Sequence, residues 1–308
     1  MANLTNHPLY RIHNLDSSMN GIWEYYRKKF IPLFLISLAM SLVIQYISTS
    51  INIKELQSIT DPMVMLEALK GYMVPILIIS LVNLLFTTIL QYYILFNPVS
   101  TEYDFMNSLL KSLKYFIPYL IIMVLLAFAG SIAILLGLLV LVVGAFFSVL
   151  YIMTIYLFIL PVMMVEETNI GNTITRTISL AHRNFWSNIG WVAVFLIILI
   201  VISVVLSGII LIPFTGSFVK TLVNPQEATE MIDVTSKPLF IILSAIVSAL
   251  TMPLLPIFSC VLYFNSRARE EKEKQIPQYN PEDEKVKVED LYAKPYADDH
   301  PDNPEKNG

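Results

Sequence analysis

The chain has 308 residues, of which 56% are hydrophobic and 14% charged, with a formal net charge of −4 and a mean hydropathy of +0.64. These values exclude an ordinary soluble domain, and the sparse, divided Lys and Arg exclude a nucleic-acid-binding surface. The single cysteine, Cys260, excludes an internal disulfide and any multi-cysteine metal site; its expected role is that of a small buried hydrophobe.

Residues 1–29 are polar and lack the apolar core of a signal peptide, so the first span is expected to act as an uncleaved anchor. Uncharged runs then lie between Lys29 and Lys54, Lys70 and Glu102, Lys114 and Glu166, Arg183 and Lys220, and Lys237 and Arg267. A crossing helix needs about 20 apolar residues. The 51 residues between Lys114 and Glu166 therefore hold two crossings and a turn, and each other run holds one. Six spans are predicted, near 31–50, 72–95, 116–137, 143–165, 189–213 and 238–264. All are helical, because lipid offers no partner for an unpaired peptide group and runs such as LIIMVLLAF lack the alternation of a barrel strand. Gly130, Gly137 and Gly144 recur in the long run; the turn is expected just after Gly137, with Gly130 left to helix packing.

Three amphipathic segments precede the odd-numbered spans: MNGIWEYYRKKFIP (19–32), MNSLLKSLKYFIP (106–118) and GNTITRTISLAHRNFW (171–186). Each has apolar residues at helical spacing, basic residues near its end and an aromatic boundary, the pattern of a helix lying in the headgroup region. The expected fold is all-α, six transmembrane helices as three hairpins, each preceded by a cytoplasmic interfacial helix. With the N-terminus inside, twelve Lys and Arg flank the spans on the cytoplasmic side against Lys54, Lys70, Lys220 and Lys237 outside, so both termini are expected in the cytoplasm.

At the end of the fourth span stand Glu166 and Glu167, followed by Thr168 or Asn169 as a helix cap and by Arg176 two turns on. Adjacent helical residues point about 100° apart, so the two acids are not expected to share a catalytic cleft. The reading favoured is a hinge at the membrane surface, with Arg176 pairing a glutamate or a lipid phosphate and with Trp186, Arg267 and Arg269 as further interfacial or partner contacts. Polar residues inside the spans form stripes: Ser37, Ser41 and Gln45; Ser80, Asn83, Thr87 and Gln91; Ser244, Ser248 and Thr251. Such stripes either join helices or line a polar path. His7, His13, His182 and His300 are scattered, with His182 read as a headgroup-level side chain. No H-E-x-x-H, Walker A or G-x-G-x-x-G occurs, and no cofactor or metal is expected.

Residues 1–270 are thus expected to form the membrane domain and 271–308 a disordered acidic cytoplasmic tail, within which VKVEDLYAKPY (286–296) gathers apolar and aromatic residues. The order P-x-x-x-x-E (Pro161, Glu166), R-[ST]-x-x-L-x-x-x-N-F-W (Arg176, Thr177, Leu180, Asn184, Phe185, Trp186) and L-Y-[FY]-x-x-R-x-R-x-E (Leu262, Tyr263, Phe264, Arg267, Arg269, Glu271) resembles the six-span bacterial membrane domain associated with some glycerophosphodiester phosphodiesterases, which also occurs alone in families of unknown function. The resemblance covers residues 10 to 271. It implies a bacterial cytoplasmic-membrane protein, and no part of the chain is of a size to carry the hydrolase activity of the fused members. The function expected is a non-catalytic membrane scaffold or assembly partner that contacts lipids and a cytoplasmic or membrane protein; the alternative is a passive transporter or lipid-handling protein.

Overall fold

A computed structural model describes residues 4–51, 61–99, 105–167, 169–215 and 237–275. Its helices are α1 (Leu15–Lys28), α2 (Phe30–Ser48), α3 (Pro62–Phe96), α4 (Phe105–Leu139), α5 (Leu141–Glu166), α6 (Ile170–Arg183), α7 (Phe185–Leu211), α8 (Pro238–Thr251) and α9 (Leu254–Gln275). No strand occurs among the described residues. Six stretches are long and apolar enough to cross a membrane: Phe30–Ser48, Met63–Phe96, Ser108–Leu139, Leu141–Glu166, Phe185–Phe214 and, counting α8 and α9 together, Pro238–Gln275. By length and composition the chain is a multi-pass membrane protein. It divides into two compact units, Met1–Arg269 and Glu270–Gly308. The helical residues 271–275 fall within the stretch expected to be a tail, and the VKVEDLYAKPY segment lies outside the described residues.

Interruptions of the helices follow from identifiable side chains. Asn14 and Ser17 cap α1 reciprocally, and the helix ends at Lys29 (φ −112°, ψ 22°), four residues before Leu33 and three before Pro32. A proline ring crowds the carbonyl four residues back, here that of Lys28, so a helix running straight through Pro32 is disfavoured and α2 starts afresh. At the other end of the bundle sequence, Glu167 takes a left-handed conformation (φ 46°) and Asn169 caps α6 by accepting from the Asn172 amide at 2.9 Å. The α6–α7 break at Asn184 is held by Asn188, whose Nδ2 donates to the Leu180 and Ala181 carbonyls at 3.3 and 3.0 Å.

One expectation needs correction. The segment 106–118 is not a separate helix, since α4 runs unbroken from Phe105 to Leu139 through Pro118. The same F-I-P triplet that follows a helix break at Lys29 is here absorbed within a long apolar helix, which loses one backbone bond at the proline and continues. The turn between the third and fourth spans lies at Val140 and Leu141, within the interval after Gly137 where it was expected, with Leu141 at φ 68°.

Both glycines flanking that turn are required for it. A Cβ on Gly144 would strike the Gly137 carbonyl and sit 2.9 Å from the Val140 Cβ, and one on Gly137 would meet Ser148 Oγ at 2.6 Å. Gly130 packs on Ile152, which a Cβ would approach to 3.3 Å. Gly144→Ala is therefore expected to destabilise the protein by about 1–3 kcal/mol through overpacking. Gly190→Ala, where a Cβ meets nothing within 4 Å, should gain up to about 1 kcal/mol from helix propensity. Thermal unfolding in detergent checks the pair, and equal midpoints would refute the close approach.

The core is continuous and has α9 near its centre: every residue from Pro256 to Ser266 is buried. Phe258 stacks on Phe195 of α7 with centroids 4.0 Å apart, and Gln91 of α3 donates to Cys260 Sγ at 2.9 Å. Ser259 donates to the Leu157 carbonyl of α5 at 2.5 Å. That carbonyl lacks a helical donor because the residue four further on is Pro161, so the serine satisfies an acceptor that a proline orphaned.

Candidate functional site

Glu166 gathers three elements at the charged end of the first unit. The left-handed turn at Glu167 and the Asn169 cap bring α6 back over the end of α5, so that Arg176 Nε donates to Glu166 Oε1 and Oε2 at 3.1 and 3.0 Å. From α9, Tyr263 donates its hydroxyl to Oε1 at 3.2 Å, and Arg267 Nη1 stands 3.7 Å from the same oxygen. The carboxylate is 18% exposed and the two arginine side chains 22% and 30%. Two cations share this one anion, in a setting dry enough for each charge to depend on its partners.

Glu167 points elsewhere. It pairs with Lys114 of α4 at 3.3 Å and lies 3.5 Å from the Tyr115 hydroxyl, with both charged side chains more than half exposed. An exposed pair of this kind contributes little. The neighbouring acids thus serve different partners, and the geometry of a shared general acid and base is not formed.

A second constellation was not anticipated from the sequence. The carbonyl of Ile94, near the end of α3, would accept from an amide at residue 98, but residue 98 is proline. His7 Nε2 lies 3.0 Å from that oxygen and the Tyr25 hydroxyl donates to it at 3.2 Å. Because His7 Nδ1 accepts the Leu9 amide at 3.1 Å, the ring is neutral with its proton on Nε2. It packs 4.8 Å from the Phe264 ring and 6.0 Å from Tyr25. Burial lowers the His7 pKa from 6.5 to about 4, against the opposing pull of the Ile94 hydrogen bond.

Further along, the His13 amide donates to Asn265 Oδ1 at 2.9 Å, and Arg269 Nη2 donates to the His13 carbonyl at 3.1 Å. Burial, and to a smaller degree the nearby Arg11 charge, also lower the His13 pKa, against its hydrogen bond to Leu9. Residues 7–13, read from the sequence as a polar leader with scattered histidines, are docked on α1, α3 and α9. The available signal was Pro98, which announces an acceptor in need of a donor without saying which side chain supplies it.

The remaining expected residues divide. Arg269 belongs to the His13 contact, while Trp186 is 73% exposed, edge-on to Phe185. His182 bonds the Ile178 carbonyl at 2.8 Å and meets the Tyr151 hydroxyl at 3.3 Å. The polar stripes do not converge. Ser37 and Ser41 are fully buried on α2, against which α8 packs, and their hydroxyls find no partner. Gln45, Ser244, Ser248 and Thr251 are half-buried, Ser80 and Asn83 face outward, and Ser80 bonds back to its own helix at the Ile76 carbonyl. Thr87 donates to Asn83 at 3.3 Å. Gln91 is buried beside a cleft of about 10 Å³ shared with Thr87, Tyr119, Tyr156 and Ser259, room for about one water. Among the described residues no three His, Cys, Asp or Glu side chains gather into a metal site.

Comparison with known proteins adds no relative: no protein-family model, no curated protein and no solved structure matches the chain.

Proposed function

We propose that this is a non-catalytic scaffold of the bacterial cytoplasmic membrane, whose charged end faces the cytoplasm and presents the acidic residues beyond Arg269 to a protein partner. The observation that carries the reading is the use made of the charged groups: Glu166, Arg176, Arg267 and Tyr263 are spent on one another across three elements. That is the arrangement of a structural joint. The residues that meet there are those of the P-x-x-x-x-E, R-[ST] and L-Y-[FY]-x-x-R motifs, which supports the resemblance to the six-span membrane domain. Amphipathic α1 and α6 are read as surface-lying helices, each leading into a span.

A second reading, lipid handling, is favoured by an apolar groove of about 590 Å³ between α4, α5 and α9, lined by Met123, Gly130, Ile152 and Leu255 among others. A polar carrier is less well supported, since the stripes that would line its path face different ways.

Two measurements test the scaffold. In a Cys260→Ser background, cysteines at Ser58 and Asn224, positions outside the described residues, should react with an impermeant thiol reagent in intact cells, and one at Asn107 should not. The reverse pattern overturns the orientation. A photo-crosslinker at Leu291 should trap a discrete protein, lost when Val286, Val288 and Tyr292 are replaced by serine with thermal stability unchanged. Reconstituted protein that carries a neutral solute across a vesicle, with no crosslinked partner, would replace the scaffold with a carrier.

A further inference from the structure

A basic cavity and an apolar groove meet at the start of α2. The cavity, about 340 Å³, lies between the docked N-terminal segment, α1 and the end of α3, and its lining includes Arg11, Glu24, Tyr25, Lys28, Lys29 and Pro98. That volume is within the range of small-ligand sites. Three cations against one acid give it a net charge of +2, and neither Arg11 nor Lys28 forms an ion pair among the described residues. Its walls are fixed. Tyr25 and Leu9 are 4% and 3% exposed, and Arg11 is carried on a segment pinned on either side by the His7–Ile94 and His13–Asn265 hydrogen bonds.

The groove, about 520 Å³, runs between α2 and α3 with Leu109 of α4 at its edge, and its lining includes Leu35, Ile36, Ala39, Phe86 and Ile89. It begins at Asn97, whose Oδ1 accepts from Lys29 Nζ at 3.0 Å, so one hydrogen bond joins the rim of the groove to the rim of the cavity. From Pro32 to Ala39 it descends about 10 Å along α2, at about 1.5 Å per residue. Cations stand where the span begins and apolar walls where it enters the hydrocarbon.

We infer that this site binds one phospholipid through its phosphate, with Arg11, Lys28 and Lys29 around the phosphate oxygens and one acyl chain along the α2–α3 groove. Arg gives a planar fork to phosphate and Lys a point charge, and basic pockets beside membrane helices suit anionic headgroups. The single acid, Glu24, offers an acceptor to a headgroup hydroxyl or amine. The inference rests on placing α1 at the membrane surface.

The test is binding of short-chain phosphatidic acid, phosphatidylcholine and inorganic phosphate to the purified full-length protein in detergent. The double variant Arg11→Gln/Lys28→Gln should weaken phosphatidic acid binding about tenfold or more, one decade corresponding to about 1.4 kcal/mol, with its melting temperature unchanged. Ala39→Phe should block the groove and weaken the lipid while leaving inorganic phosphate as it was; Leu35→Trp serves if Ala39→Phe does not fold. Loss of phosphate binding in the double variant with no effect of either groove variant would make free phosphate the ligand. Phosphatidic acid affinity unaffected by the double variant, or no binding of either phosphate compound, overturns the site. Quenching of Trp23, 55% exposed on α1, by brominated lipid reports the placement of α1 separately, in a variant whose other two tryptophans are phenylalanine. An unquenched Trp23 with retained binding would reject the surface placement alone.

Discussion

Replacing Glu166 with alanine is expected to lower stability by about 3 kcal/mol, more than any single replacement of its partners. Loss of this carboxylate takes from Arg176 and Arg267 the anion they share, and leaves the Tyr263 hydroxyl without its acceptor. Breaking a buried pair from one side costs about 3–5 kcal/mol, most of it for the uncompensated charge. The lower end applies because 22% and 30% of the two arginine side chains remain in solvent. Arg176→Ala should cost less, since Arg267 and Tyr263 continue to satisfy the carboxylate, and Arg176→Lys should recover part of the loss. Thermal unfolding of the three variants in one detergent gives the order. Arg176→Ala more damaging than Glu166→Ala would mean that the glutamate is not the centre of the joint. Alanine variants that fold normally yet abolish a measurable activity would make the node a functional site.

Acidification should release the N-terminal segment. His7 is held neutral by burial, with a folded pKa of about 4 against an ordinary value of 6.5. Between these two values the unfolded chain binds a proton that the folded chain refuses, so stability falls as pH drops from about 6.5. The loss is complete below about pH 4, where it amounts to about 3 kcal/mol. Above pH 6.5 the ring is neutral in both states and contributes no pH dependence. Protonation places a hydrogen on Nδ1, where the Leu9 amide now donates, so the strain falls first on the docked segment. Corrected amide exchange over residues 4–14 should therefore quicken as pH falls from 6.5 towards 4. His7→Phe keeps a ring between Tyr25 and Phe264 but loses both hydrogen bonds. It should exchange faster at neutral pH and lose most of the pH dependence, leaving the smaller part due to His13. An imidazole that titrates near 6.5 in the folded protein would contradict this account.

Much of the architecture could be read from the order of residues because its causes are local. A charge-free run fixes a span by length alone, since each peptide group must find its partner within the helix, and each of the six spanning stretches overlaps a predicted span, although the second, third and sixth run past Lys70, Lys114 and Arg267 and the sixth is broken into two helices. The break before α6 was legible for the same reason: Thr168 or Asn169 ahead of an amphipathic run is a cap, and the structure takes Asn169. That Glu166 and Glu167 part was expected from the step of a helix, but the cause is the left-handed turn at Glu167, which lies beyond the last helical residue. The continuity of α4 through Pro118 was not legible, because the same F-I-P triplet stands after a break at Lys29. Nor was the convergence on Glu166, whose partners lie 10, 97 and 101 positions away.

The docking of residues 7–13 shows the divide most clearly. Pro98 and Pro161 each state in the sequence that a carbonyl four residues earlier has lost its donor. Which side chain repairs the loss is a matter of three-dimensional proximity: Ser259 for Leu157, 102 residues away, and His7 with Tyr25 for Ile94, 87 and 69 residues away. Hydrophobic periodicity marks a face that will be buried, but a polar segment is buried only when distant groups happen to complete its hydrogen bonds. Sequence by itself determined the spans, the caps and the sign of charge at their ends. Tertiary structure alone decided which orphaned acceptors are met, and therefore that a short polar N-terminal segment closes one wall of a basic cavity.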